Sequence, residues 1–287
     1  MNGFVNIIKP KGMSSALAVS LVKKKIYKQF GKQSIGHMGT LDPMASGVLP
    51  VGIAKTSRMF DYLLDKTKTY VAEFEFGYST DTLDVTGQVT ERADKFPTED
   101  EIKGVLSQFV GEIDQIPPKY SAKCIDGKRG YQLARQGVEF ELKPKKVNVL
   151  TLSLIKKTGE NKYEFVIECK GGTYIRSLAR DIGSAVGSLG VMTSLCRTQS
   201  GIFNLENGVS VEEFINSENP QKYLIAPDEA VSFPKIVLTE KQATKILNGV
   251  FDTLGYQDGL YRVYNQTEFW GIGESVDGVL KIKAYVR

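Results

Sequence analysis

The spacing of apolar residues predicts a helix near the start of the chain, because they recur there about every 3.6 positions. Ser14 or Ser15 can cap the first turn of this helix, and Gly31 can end it. The apolar positions are Leu17, Leu21, Val22, Ile26 and Phe30. We expect this stripe to face a core and the neighbouring lysines to lie largely away from it.

Further along, apolar and polar residues alternate as in a half-buried strand. The alternation runs through TYVAEFEFGYST at 69–80 and places Tyr70 on the same face as Phe74. Two more strands are predicted from VNVLTLSLI at 147–155 and KYEFVIECK at 162–170. Strands and helices therefore follow one another in a way that permits an α+β fold.

Residues typical of helix N-termini predict further helices. A helix is expected over Thr56–Leu64, and Thr98 with Glu101 forms the capping-box pattern ahead of an apolar stripe. GGTY at 171–174 leads into a helix that carries Arg176 and Arg180 one turn apart, so both guanidinium groups share a face.

The pattern of predicted elements changes around residue 235. Thr239 can cap a short helix, and the residues after it form short strands punctuated by glycines. We therefore predict two domains, 1–234 and a small, mostly β domain at 235–287. Within the first, 115–137 mixes prolines, lysines and tyrosines and is expected to leave the core as a long excursion with a short helix near its end.

Composition places the chain among ordinary globular proteins, with 41% hydrophobic and 24% charged residues in 287. No apolar run approaches the roughly 18 residues that span a bilayer, and the start lacks the apolar stretch of a signal peptide. We therefore expect a cytoplasmic protein. Cys124, Cys169 and Cys196 lack metal-ligand spacing and are expected to be reduced, mostly buried thiols.

The charge leans toward a polyanionic partner, with a formal net charge of +4. Lysines cluster at 23–32 and again at 143–146. Such clusters are equally typical of solvated helix and loop surfaces, so the charge alone leaves both interpretations open.

The strongest candidate for chemistry is GHMGTLDPMASGVLP at 36–50, which holds the only histidine of the chain, His37. Local physics allows a structural interpretation in which Asp42 caps a short turn before Pro43 and His37 is an ordinary polar side chain. A functional interpretation is that a single carboxylate in a glycine-rich loop approaches a ligand closely.

Several site classes find no support in the sequence. The nucleophile elbow of hydrolases, metal-ligand spacing and phosphate-binding loops are absent. DTLDVTG at 81–87 lacks the alternating oxygen ligands of a calcium loop. What remains is an aspartate that acts without a metal or a redox cofactor, on a basic protein.

With these residues in view, GHMGTLDPMASGVLPVGIAKTSR closely resembles the signature of the TruB family of tRNA pseudouridine synthases. Other matches follow in the family's order over roughly residues 5–205: NIIKPKGMSS, KTY, GYSTDTLDVTGQV, PPKYSA, GGTYIRSLARDIG and LCRTQSGIF. FWGIGE lies in a C-terminal part that looks like the small PUA-type RNA-binding domain of family members.

The resemblance implies that one uridine in the T loop of tRNA, numbered 55 by tRNA convention, is isomerised to pseudouridine without a cofactor. It makes Asp42 the catalytic residue and Arg176 its ion-pair partner. Tyr70 would stack on the base, which is the safer role because a phenol with a pKa near 10 is a poor base at neutral pH.

The remaining substrate-binding residues also come from the resemblance. Tyr174 and Leu195 would line the uracil pocket, and His37 would hold the flipped or a neighbouring nucleotide. The excursion at 115–137 would lie over the T arm of the tRNA.

The resemblance also implies a pseudouridine synthase fold, α+β around a mixed, mainly antiparallel sheet, and a monomer with no protein partner. Two alternatives stay open: a pseudouridine synthase for another RNA, and a tRNA-binding folding chaperone whose catalysis is secondary.

Overall fold

The computed structural model describes residues 2–64, 67–121, 124–125, 128–129, 136, 138, 140, 142–248 and 255–287. Its residues form two compact units. Unit 1 contains 1–43, 47–65 and 201–287, and unit 2 contains 44–46 and 66–200.

The helices of both units are short apart from the first. The α-helices are α1 Ser15–Phe30, α2 Phe60–Leu64, α3 Glu99–Val105, α4 Ile175–Ala185, α5 Val211–Asn216 and α6 Glu240–Leu247. The 3-10 helices are Ala54–Met59, Leu106–Phe109, Pro220–Tyr223 and Pro227–Ala230.

The strands are numbered in chain order. They are β1 Gly3–Lys9, β2 Ile35–His37, β3 Ser46–Ile53, β4 Lys68–Phe76, β5 Tyr78–Thr80, β6 Val89–Arg92, β7 Gly111–Gln115, β8 Cys124–Ile125, β9 Lys128–Arg129, β10 Lys145–Lys157, β11 Lys162–Cys169, β12 Gly190–Ser200, β13 Phe203–Asn204, β14 Val209–Ser210, β15 Leu224–Ile225, β16 Lys235–Leu238, β17 Gly259–Asn265, β18 Glu268–Val276 and β19 Val279–Tyr285.

In unit 1, β1 is the central strand of a mixed sheet. It pairs antiparallel with β3 and β15 and parallel with β14, and β2 pairs antiparallel with β3. Phe4 on β1 and Val48 on β3 are both fully buried. This arrangement places the end of β2 and the start of β3 on either side of the loop that carries Asp42.

The C-terminal residues of unit 1 form a second sheet in the order β16-β17-β18-β19. Its own core includes Trp270 and Ala243, the latter from α6. A larger hydrophobic cluster joins Ile272 and Ala284 of this sheet to Phe4 and Met59. The C-terminal sheet is therefore packed into the unit that contains the N-terminal strand, and the boundary at 234/235 stays a prediction.

In unit 2, five strands form an antiparallel sheet in the order β12-β4-β11-β10-β7. Helix α4 packs against β12 and β4. Two glycines allow the approach, because a Cβ on Gly183 would lie 2.5 Å from the nitrogen of Gly190, and a Cβ on Gly190 would lie 2.3 Å from the carbonyl oxygen of Ala179. The close approach fixes the helix on the sheet.

Most of the predicted elements are confirmed. Ser14 caps α1, Gly31 ends it, and Thr98 and Glu101 form a complete capping box. On β4, Tyr70 and Phe74 are buried on one face as the alternation predicted. The α+β class and the mixed, mainly antiparallel sheet are also confirmed.

The prediction of one helix over 56–64 is wrong in its type. The chain forms a 3-10 helix from Ala54 to Met59 before α2 begins at Phe60. The Thr56 hydroxyl donates to the carbonyl oxygen of Ile53 at 2.8 Å, three residues back, and to that of Gly3 at 3.1 Å. These side-chain bonds favour the tighter turn over the α-helix.

Some of the predictions concern parts of the chain that the structure does not describe. The short helix expected near the end of 115–137 lies outside them, as does the Cys124 side chain. Cys169 and Cys196 are free thiols, and burial raises the pKa of Cys169 to about 11. Within the described part of the chain, no helix is long and apolar enough to cross a membrane.

Candidate functional site

The loop that carries Asp42 is anchored on both sides of this residue. The Ser15 hydroxyl accepts from the Leu41 nitrogen at 2.9 Å and donates to the Leu41 carbonyl oxygen at 2.8 Å. On the other side, the Gly12 nitrogen donates to the Pro43 carbonyl oxygen at 2.7 Å. Asp42 itself is half-buried. Its main chain is thus held while its side chain keeps some exposure.

A buried lysine supports the same loop. Lys9 is fully buried, and its ammonium donates to the carbonyl oxygens of Met13 at 2.6 Å and Pro10 at 3.0 Å. The Pro43 carbonyl oxygen lies 3.5 Å from the same nitrogen. Carbonyl oxygens offset part of the cost of burying the charge. The KPKG segment is therefore tied to the residue that follows Asp42.

His37 lies at the end of β2, where it pairs with Val51 of β3 and is half-buried. No helix begins at Asp42; instead a turn at Pro43 and Met44 follows it. This turn agrees with the structural interpretation, in which Asp42 caps a short turn, and leaves the functional interpretation open.

Tyr70 and Leu195 lie on neighbouring strands of unit 2. Tyr70 pairs with Arg197, and Ala72 pairs with Leu195, in the register of β4 and β12. Since directly paired residues project to the same side of a sheet, Tyr70 and Leu195 are diagonal neighbours on one face. Each is 7% exposed. Together they provide apolar and aromatic surface of the kind that a base could stack on.

Tyr174 and Arg176 lie at the start of α4, which packs against the strands of Tyr70 and Leu195. Tyr174 is the N-cap residue, but its side chain does not cap the helix. Arg176 lies in the first turn and is only 6% exposed. The prediction that it stands at the beginning of a helix is confirmed.

The guanidinium of Arg176 has three partners in unit 2. Nη1 donates to the carbonyl oxygen of Thr82 at 2.9 Å, and Nη2 donates to that of Tyr120 at 3.0 Å. Nη1 also lies 3.6 Å from a carboxylate oxygen of Asp84, which is 3% exposed. A buried cation is thus balanced by a buried anion and fixed by two carbonyl groups.

Asp84 is itself fixed by its own loop. Its Oδ1 accepts from the Thr82 hydroxyl at 2.9 Å, the Thr86 nitrogen at 2.9 Å and the Thr86 hydroxyl at 2.5 Å. Leu83 between them has a φ of 61°, a conformation that is costly for a bulky residue. The loop holds this strain while it points both a carbonyl group and a carboxylate at Arg176.

Sequence reasoning missed Asp84, because it tested DTLDVTG as a calcium loop and matched GYSTDTLDVTGQV to the family without assigning a role to this residue. The available signal was an acid flanked by threonines two residues away on each side, which predicts a carboxylate held by hydroxyl groups. Its partner Arg176 is distant in sequence and leaves no local pattern.

Unit 2 therefore brings together four of the predicted site residues, namely Tyr70, Tyr174, Arg176 and Leu195, on β4, β12 and α4. Asp42 and His37 belong to unit 1. The ion pair expected between Asp42 and Arg176 stays a prediction. Among the described residues, no group of three or more His, Cys, Asp or Glu side chains could hold a metal ion.

Comparisons with known proteins place these residues in a family. The model of the TruB family pseudouridylate synthase N-terminal domain matches residues 24–175, and that of the pseudouridine synthase II TruB C-terminal domain matches 234–284. The chain belongs to the TruB family of pseudouridine synthases. The first match includes Asp42, Tyr70, Asp84 and Tyr174.

Relatives of similar length support the family assignment along the whole chain. This TruB-family chain is 41% identical over 288 residues to tRNA pseudouridine synthase B of Aquifex aeolicus, covering 99% of both chains. It is 41% identical to the protein of the same name from Caldanaerobacter subterraneus, covering 95% of both.

Solved structures share the fold. The crystal structure of a Cbf5-Nop10-Gar1 complex matches with a TM-score of 0.71 at 26% identity, covering 98% of this TruB-family chain and 79% of the matched one. A structure of an H/ACA RNP bound to a substrate RNA matches with a TM-score of 0.72 at 23% identity, covering 99% and 85%. The second likeness shows the fold alone.

Proposed function

We propose that this chain is a tRNA pseudouridine synthase that isomerises the T-loop uridine, position 55 by tRNA convention. The observation that carries the proposal is the anchored loop of Asp42, which presents one carboxylate in a chain similar along its length to proteins named tRNA pseudouridine synthase B. We further propose that the chain works as a cytoplasmic monomer without a metal, cofactor or protein partner.

In the proposed reaction the uridine is flipped out of the T loop into the pocket, at a cost of a few kcal/mol that binding returns. Asp42 attacks the sugar or otherwise assists cleavage of the glycosidic C–N bond. The uracil rotates in place and its C5 bonds to the same sugar carbon, which releases Asp42 where the two are joined. C5 then loses a proton and N1 gains one, so the product is an isomer of uridine. The reaction is an isomerisation and needs no electron acceptor or co-substrate.

The other predicted site residues bind the uridine or hold the carboxylate of Asp42. Tyr70 stacks on the uracil, and Tyr174 and Leu195 line its pocket. His37 holds the flipped or a neighbouring nucleotide. Arg176 pairs with Asp42 and keeps its carboxylate ionised and oriented. The contacts of Arg176 with Thr82, Tyr120 and Asp84 support this role, because they immobilise the cation before substrate arrives.

The direct test uses the purified chain alone with an unmodified tRNA transcript, without added nucleotide cofactor. Pseudouridine is mapped by carbodiimide primer extension, and a transcript with the T-loop uridine changed to cytidine is the matched control. We expect one new stop at the T-loop uridine that is absent from the control transcript.

Two other outcomes would redirect the proposal. Tight tRNA binding with no stop would favour a folding chaperone. Conversion of a different RNA but not of tRNA would favour a pseudouridine synthase with another substrate. A stop elsewhere in the tRNA, with the T-loop uridine untouched, would contradict the assignment of position 55.

A basic cleft in unit 1 supports contact with an RNA backbone. It has a volume of about 520 Å³, and its lining includes Lys32, Lys55 and Arg58. The Arg58 guanidinium donates to the Tyr285 carbonyl oxygen at 3.0 Å, and Lys55 also donates to a main-chain oxygen, that of Arg287. Within the described residues, no acidic side chain neutralises these three cations, and a phosphate group would compete only with main-chain oxygens for Lys55 and Arg58.

We expect the double variant Lys32→Gln/Arg58→Gln to weaken tRNA binding and to flatten its salt dependence. Each lost phosphate contact should lower the slope of log K against log[salt] by about 0.7–0.9. The slope is measured by filter binding across a salt series.

A matched control removes two cations that already have carboxylate partners. In Lys156→Gln/Lys162→Gln, the lost charges are those paired with Glu164 at 3.3 Å and Glu75 at 3.5 Å. We expect the slope of this control to change less. Equal changes in both variants would show that the cleft has no special part in RNA binding.

A further inference from the structure

The first residues of the 115–137 excursion lie against the start of α4. We call Gln115–Tyr120 the arm base. The Ser177 hydroxyl donates to the Ile116 carbonyl oxygen at 2.8 Å, and the Arg180 guanidinium donates to the same oxygen at 3.0 Å. One carbonyl group thus accepts from side chains on two successive turns of the helix.

Gln115 binds the residue at the start of α4 through both polar atoms of its side-chain amide. Its Oε1 accepts from the Tyr174 nitrogen at 2.8 Å, and its Nε2 donates to the Tyr174 carbonyl oxygen at 3.1 Å. The residue is 1% exposed. The amide thereby holds both main-chain groups of Tyr174, as a neighbouring strand would.

This clamp holds the N-cap residue of a helix that has no side-chain cap. The helix α4 begins after Tyr174, whose side chain accepts no hydrogen bond from the first turn. A helix end without a side-chain cap is held less firmly, and here the fixed residue is the one directly before Ile175 and Arg176. Gln115 therefore fixes the residue from which the first turn begins.

The arm base also reaches Arg176 itself. The Tyr120 carbonyl oxygen accepts from Nη2 of Arg176 at 3.0 Å, on the opposite side of the arm base from Gln115. Pro117 and Pro118 lie between the two ends and are buried. Since proline restricts the backbone, the clamp at Tyr174 and the contact at the guanidinium are held in a fixed relation.

We propose that Gln115 is a positioning residue for pseudouridine formation, which places Tyr174 and the first turn of α4 so that Arg176 stands where the reaction needs it. The inference rests on the proposed function of Arg176. The main chain of Gln115 pairs with Lys145 of β10, and its buried side-chain amide binds the main-chain groups of Tyr174. Gln115 therefore acts through Tyr174 and not on the substrate.

Gln115→Glu is the sharpest test, because it keeps the size of the side chain and the acceptor for the Tyr174 nitrogen. It removes the donor and sets a carboxylate oxygen against the Tyr174 carbonyl oxygen. We expect the single-turnover rate at saturating enzyme to fall about 10- to 100-fold, as misplacement of a catalytic group by a fraction of an ångström does. The dissociation constant for tRNA should change less than about twofold.

Ser188→Ala is the matched control. The Ser188 hydroxyl donates to the Lys95 carbonyl oxygen at 2.6 Å and is 7% exposed, beyond the other end of α4. This variant also loses a buried side-chain bond to a carbonyl group, so it tests whether such a loss near α4 by itself lowers the rate. Its single-turnover rate should equal that of the wild type.

The outcomes separate positioning from general stability. A wild-type rate in Gln115→Glu, or an equal loss of rate in Ser188→Ala, would overturn the proposal. If Gln115→Glu does not fold, Gln115→Met replaces it, because methionine has a similar length but forms neither bond to Tyr174. This variant must lower the rate several-fold with binding unchanged, and an unaltered rate would overturn the proposal. Failure of the proposed function would appear earlier, as a wild-type protein that forms no pseudouridine in tRNA.

Discussion

Asp42→Asn is expected to reduce pseudouridine formation at least about 1,000-fold while tRNA binding stays within about twofold of wild type. The amide keeps the shape of the carboxylate but cannot act as a nucleophile or carry its charge. The anchors of the loop at Leu41 and Pro43 are main-chain bonds to Ser15 and Gly12. The variant should therefore keep its loop.

The measurement is the single-turnover rate at saturating enzyme, with binding measured separately by filter retention. Asp61→Asn is the control, because Asp61 is an exposed acid in the first turn of α2. A variant that loses both catalysis and binding would show that Asp42 is structural. A variant that retains more than about a tenth of the rate would remove Asp42 from the chemistry.

Arg176→Lys is expected to lower the single-turnover rate about 100-fold with a smaller effect on binding. Lysine keeps the charge beside Asp84 and so avoids leaving a buried carboxylate without a partner. It cannot reproduce the fork that contacts Thr82 and Tyr120 at once. The cation would then be present but not fixed toward Asp42.

Arg262→Lys is the matched control for this change. The Arg262 side chain also donates to two main-chain carbonyl groups, those of Phe233 at 2.8 Å and Asp228 at 3.4 Å. Arg262 lies in the C-terminal sheet, and the single-turnover rate of Arg262→Lys should equal that of the wild type. An unchanged rate in Arg176→Lys would mean that charge alone suffices and that the fixed guanidinium has no catalytic part.

Asp84 links this prediction to the structure of its loop. Asp84→Asn removes the buried anion but keeps a side chain that can bond to Thr86. If Asp84 acts by holding Arg176, then the double variant Asp84→Asn/Arg176→Lys should lose little more than Arg176→Lys alone. Additive losses would indicate that the two residues act independently.

The sequence was most informative where the determining interactions are local. The capping boxes at Thr98 and Thr239 join residues three apart, and the structure contains both. The alternation on β4 likewise reports which side of one strand is buried. Such patterns are visible because the partners lie within one turn or along one strand.

The candidate site was only partly visible in this way. Its candidate residues came from the resemblance of GHMGTLDP and GGTYIRSLARDIG to a known family. The local pattern alone did not decide whether Asp42 caps a turn or is a catalytic group. At the 3-10 helix Ala54–Met59, Thr56 binds both Ile53 nearby and Gly3, 53 residues away, and only the first of these contacts lies within reach of a local pattern.

By itself the sequence determined the helix caps and the identity of the one acid in the glycine-rich loop, and its motifs indicated the family and, through the family, the α+β class. Each of these signals lies in short, ordered stretches of residues. Only the tertiary structure decided that Lys9 is buried against carbonyl groups, that Arg176 is held by Asp84, and that Gln115 clamps Tyr174 from 59 residues away. These contacts form only when distant segments pack together. The sequence around a polar side chain does not reveal which distant residue becomes its partner in the folded protein.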